Sequence, residues 1–95
     1  MNPNEEIERG ARAQRILADS IFVEAFESVE KAIHELWAQC PIRDLEGQQM
    51  LRLELKLLGD VRAFLESAIV DAKHVKAELE AKNRRVLSPA QWSGR

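Results

Sequence analysis

Between residues 22 and 40 the apolar residues fall at Phe22, Phe26, Val29, Ile33, Leu36 and Cys40, in steps of 4, 3, 4, 3 and 4, and Pro41 then ends the pattern. Alternating steps of three and four trace one face of a helix that packs against another helix. Pro41 disfavours helical geometry at Cys40, and Asp44 is placed to cap a new helix. A linker as short as Cys40-Pro41-Ile42-Arg43-Asp44 joins antiparallel neighbours. A helical hairpin is therefore the first expectation.

The second arm is longer. Leu51, Leu58, Val61, Leu65, Ala68, Ala72, Val75 and Leu79 continue a seam after the turn, with Leu55, Phe64 and Ile69 widening it. The spacing predicts helices over about residues 20–40 and 45–83, the latter on the order of 55 to 60 Å long. A weaker helix is expected over about residues 5–18, capped by Asn4, with Glu5, Glu6 and Glu8 at the positive end of its dipole. Its apolar stripe of Ile7, Ala11, Ile16 and Leu17 is thin, and Gly10 costs about 1 kcal/mol relative to alanine in a helix interior. It is expected to be the least stable of the three. Residues 1–86 thus read as one all-α domain, and residues 87–95, broken at Ser88-Pro89, as an irregular tail.

Composition agrees with that class. Leu, Ala, Glu, Lys and Arg dominate and Tyr is absent, as in long helices. Ninety-five residues with a net charge of -2 leave little room for a catalytic cleft and give no overall attraction to nucleic acid or a membrane surface. The polar, acidic start does not read as a signal peptide, and no apolar run is long enough to span a bilayer. A single cysteine excludes an intrachain disulfide and suits a reducing compartment or a fold that does not depend on oxidation.

Unequal arms leave a surplus. The third helix overshoots the second by about 25 Å, so Ala68, Ile69, Ala72, Val75 and Leu79 are expected to need cover beyond what the first helix supplies. Leu53 and Leu57 lie on a different face, and a helix apolar on two faces is usually buried on two sides. Self-association or a protein partner is the expectation, with a dimeric four-helix bundle the simplest closed form.

Candidate chemistry is sparse. His34, His74 and Cys40 have no metal-ligand spacing, and the glutamates Glu24, Glu27, Glu30 and Glu35 read as a solvated face. The glycines are isolated, so no phosphate loop exists. The chain is expected to be no enzyme and to take no metal, cofactor or small-molecule substrate. Arg9, Arg12 and Arg15 form a basic stripe that can contact phosphates or acids, with pairing to Glu5 and Glu8 the simpler reading. Arg84 and Arg85 complement the negative end of the last helix. Trp92 has no intrachain seam to join; docking of Leu87, Trp92 and Arg95 on a partner is set against a disordered end or a fold-back.

Leu17-Ala18-Asp19-Ser20-Ile21-Phe22-Val23-Glu24-Ala25-Phe26, Trp37, the turn Pro41-Ile42-Arg43-Asp44-Leu45-Glu46-Gly47 and Leu57-Leu58-Gly59-Asp60-Val61-Arg62-Ala63-Phe64-Leu65-Glu66 together resemble a family of small helical proteins. These occur in tailed bacteriophages and prophages, commonly encoded among the head and tail morphogenesis genes. The likeness spans about residues 10–80. It implies a protein made in the bacterial cytoplasm that helps build the virion or is packaged in it, bound to itself or to another phage structural protein, with no catalytic residues. The alternatives are a small regulator that blocks a host protein and, more distantly, a nucleic-acid binder using Arg9, Arg12, Arg15, Arg84 and Arg85.

Overall fold

The computed structural model describes residues 1–86 as three helices, α1 (Pro3–Ala18), α2 (Ser20–Gln39) and α3 (Leu45–Val86). Each start is fixed by a short polar side chain. Asn2 Oδ1 accepts the amide of Glu5 at 2.8 Å, with Pro3 in the first turn. That corrects the expected cap, Asn4: proline at the first helical position has no amide to satisfy and a pre-set φ, so the helix begins two residues earlier. Asp19 Oδ1 accepts the amides of Ile21 and Phe22 at 2.9 and 3.2 Å. It breaks the chain into α1 and α2 with one extended residue. Asp44 Oδ1 accepts the amide of Gly47 at 2.9 Å and starts α3.

The turn is closed from inside α3. Gln48 accepts a hydrogen bond from the Trp37 indole N–H, and its Nε2 donates to the carbonyls of Cys40 and Pro41 at 3.4 and 3.3 Å. One side chain thus satisfies carbonyls left open where α2 ends. It also ties α2 to α3 in an antiparallel pair, which Arg62, lying 4.1 Å over the Phe26 ring, extends upward.

α3 runs to Val86 rather than residue 83, so its 42 residues measure about 63 Å. α1 lies on the part of α3 that α2 does not reach, and it packs there more closely than α2 packs lower down. A Cβ added to Gly10 would stand 2.3 Å from Ala72 Cβ, 2.9 Å from the Ala68 carbonyl oxygen and 3.6 Å from Ile69 Cα. The helix expected to be weakest is therefore seated directly on the backbone of its neighbour. Gly10 and Ala13 on one side and Ala68 and Ala72 on the other are small enough to permit this approach.

The expectation that Ala68 and Ala72 await a partner is corrected by the same contact. They are 2% and 8% exposed within the single chain, because α1 covers them. Ile69, Val75 and Leu79 are half-buried beside them. Among the described residues the buried apolar set is Ala13, Phe26, Ile33, Ala68 and Ala72, and no large side chain is fully enclosed. The molecule extends 78 × 26 × 20 Å with a radius of gyration of 21.8 Å, whereas a compact chain of this length has about 12 Å. So thin a rod holds little interior.

Candidate partner-binding face

Met50, Leu53, Leu57, Val61, Phe64, Ala68, Ala72, Val75 and Leu79 follow one another along α3 in steps of three or four residues. The mean step of about 3.6 keeps them in a straight line up one side of the helix. α1 covers the upper part of that line. Below it, Met50, Leu53, Leu57, Val61 and Phe64 are each 50 to 61% exposed. The same stripe is thus core where α1 lies and bare where it does not.

α2 adds to the bare part. Val29 and Ile33 face Glu54, Leu57, Leu58 and Val61 across an open groove whose lining is almost wholly apolar. Val29 and Leu36, two turns apart on α2, are 48% and 55% exposed. They belong to the seam read between α2 and α3, yet neither is enclosed. Side chains of roughly 150 to 220 Å² exposed by about half place some 700 Å² of apolar surface on this side, above the 300 to 600 Å² of the largest patch on an ordinary monomer.

Leu53 and Leu57, singled out in the sequence, sit at the centre of the face. Val29, Leu36, Met50, Val61 and Phe64 join them there, and the 3, 4, 4, 3 spacing from Met50 to Phe64 is the mark the stripe leaves in the sequence. Leu87, Trp92 and Arg95 lie outside the described residues.

Glu54 lines the groove, and further charges border the face. Lys56 Nζ and Asp60 Oδ2, 3.1 Å apart, form the one ion pair among the described residues, one turn apart along the bare stripe. The basic stripe on α1 is divided: Arg9 is half-buried with its guanidinium 5.1 Å from the centre of the Phe64 ring. Arg12 and Arg15 border a shallow hollow with Ile16, Asp19 and Phe22 at the α1–α2 junction. None of the three pairs with Glu5 or Glu8; Arg9 is drawn instead to an aromatic face. Arg84 and Arg85 are exposed in the last turn of α3.

His34 and His74 are exposed, and no group of three or more His, Cys, Asp or Glu side chains converges among the described residues. Cys40 ends α2, half-buried, with Sγ 3.8 Å from Asp44 Oδ2. Partial burial, then the charge and hydrogen bond of Asp44, push its thiol above the ordinary value, the opposite of what activates a nucleophile. Among the described residues no helix is long and apolar enough to cross a membrane.

All-helical architecture, a short first helix, a long last one and a bare two-helix face define an α-helical hairpin with an open side. No family model, curated protein or solved structure matches the chain.

Proposed function

We propose that the chain is a non-enzymatic assembly module that acts by helix–helix contact through the bare α2–α3 face. The carrying observation is the mismatch between its thin interior and the apolar surface it leaves open. Ordering one residue's backbone opposes folding by about 1 to 2 kcal/mol, and burial must offset this. A protein that encloses so little and exposes Met50, Leu53, Leu57, Val61 and Phe64 along one line gains its missing burial by association.

The sequence resemblance supplies the setting: a virion assembly or accessory component of a tailed phage, produced in the bacterial cytoplasm and bound to structural proteins of the particle. Mass spectrometry of purified procapsids and mature particles tests it. The chain is expected at a defined copy number in one or both, and Leu57→Asp should remove it. Its absence from both would sink the reading.

A further inference from the structure

We propose that the occupant of the bare face is a second copy of this chain, running antiparallel, with the two-fold axis beside Leu57. This rests on the reading of that face as an association surface and names its partner.

A two-fold contact requires a surface complementary to itself, and the stripe has that property. Rotation about Leu57 sets Leu57 on the partner's Leu57, Leu53 on the partner's Val61, and Met50 on the partner's Phe64. Each aligned pair is apolar, and the largest side chain meets the most adaptable one. Rotation about an axis perpendicular to α3 also returns each edge of the stripe to itself. Lys56 then stands beside the partner's Asp60, and Asp60 beside the partner's Lys56. The intrahelical pair at 3.1 Å becomes one half of a four-charge cluster of no net charge, with the two Lys56 ammonium groups at its middle and an Asp60 carboxylate beyond each.

α2 completes the arrangement. Val29 lines the groove beside the stripe and Leu36 lies two turns from it on the same side of α2, so rotation sets Val29 near the partner's Leu36, and two copies close a four-helix bundle with every adjacent pair antiparallel. The surface removed is about 700 Å² per copy, close to the roughly 800 Å² per partner of a specific interface. α1 sets the register: it fills the upper part of the stripe at Ala68 and Ala72 and stops the copies from sliding further along. Residues 87–95 of the same chain cannot take the place. Fully drawn out they span about 32 Å, while Leu57 lies about 43 Å down α3 from Val86.

Register is tested with full-length chains carrying Cys40→Ser and either Met50→Cys or Phe64→Cys. Mixed and oxidised, they should cross-link between positions 50 and 64 faster than either variant links to itself. Faster self-linking would mean a parallel pair and overturn the proposal. Charge is tested at the exposed positions Lys56 and Asp60, where substitution does not endanger the fold. Lys56→Asp and Asp60→Lys should each weaken the dimer about tenfold, and a mixture should restore it. A wild-type chain that sediments as a folded monomer at tens of micromolar also overturns it. If that monomer still joins particles, the assembly reading stands without the dimer. A dimer missing from particles leaves the opposite result.

Discussion

Gly10 is the position at which one methyl group should separate two effects of opposite sign. Alanine in place of glycine inside an exposed helix adds about 1 kcal/mol of stability. At Gly10 the new carbon would fall 2.3 Å from Ala72 Cβ and 2.9 Å from the Ala68 carbonyl oxygen, against an ordinary carbon–carbon contact of about 3.5 to 4.0 Å. The carbonyl belongs to a helix backbone and cannot rotate away, so α1 must lift by more than about 1 Å. Overpacking of that kind costs about 1 to 3 kcal/mol, and the lift also loosens Ala13 and half-buried Leu17. The net expectation for Gly10→Ala is a loss of up to about 2 kcal/mol, or as much as roughly 16 °C in Tm. Gly59 is the internal control, since nothing stands within 4 Å of its added Cβ; Gly59→Ala should gain up to about 1 kcal/mol. Thermal denaturation followed by far-UV circular dichroism, at one fixed protein concentration, measures both. Equal stabilisation by the two substitutions would refute the close seating of α1 on α3.

Other substitutions address the turn. Asp44→Ala removes the cap of α3 and should lower stability by about 0.5 to 2 kcal/mol in denaturant titration, whereas Asp44→Asn, which still caps, should lower it much less. Asp44→Asn also removes the charge that helps hold the Cys40 thiol above its ordinary value. The thiolate fraction near pH 8.5 should rise, and alkylation of Cys40 by iodoacetamide should be faster than in the parent chain; equal rates would exclude Asp44 as a cause. Trp37→Phe deletes the indole donor to Gln48 and should destabilise the hairpin by about 0.5 to 1.5 kcal/mol.

The sequence made the elements legible and their packing only in part. Heptad spacing and Pro41 placed α2, the turn and α3, because those signals act within a few residues. Asn2-Pro3 was equally local, yet Asn4 before Glu5 and Glu6 offered a competing cap. Gly10 misled more deeply. Counting apolar side chains made α1 look weak, but close packing of helices depends on the lack of side chain at Gly10, Ala13, Ala68 and Ala72. Periodicity told which residues share a face and was silent on what covers it. Spacing alone therefore gives Ala68 and Ala72 to a partner where α1 covers them, and gives Val29, Leu36 and Val61 to a closed seam where they lie open. Leu53 and Leu57, expected on a second face, instead continue the line of Val61, Ala68, Ala72, Val75 and Leu79, because steps of three and four that average 3.6 residues stay on one side of a straight helix.

Completion of the open α2–α3 face by association makes thermal stability depend on protein concentration. Folding coupled to association makes Tm rise with concentration. Circular dichroism melts from about 1 to 100 µM, paired with sedimentation equilibrium, should show a rising Tm and a mass of twice the 10.8 kDa chain, with both effects abolished in Leu57→Asp. A Tm independent of concentration, in a chain of monomer mass, would mean that the face is complete without a partner.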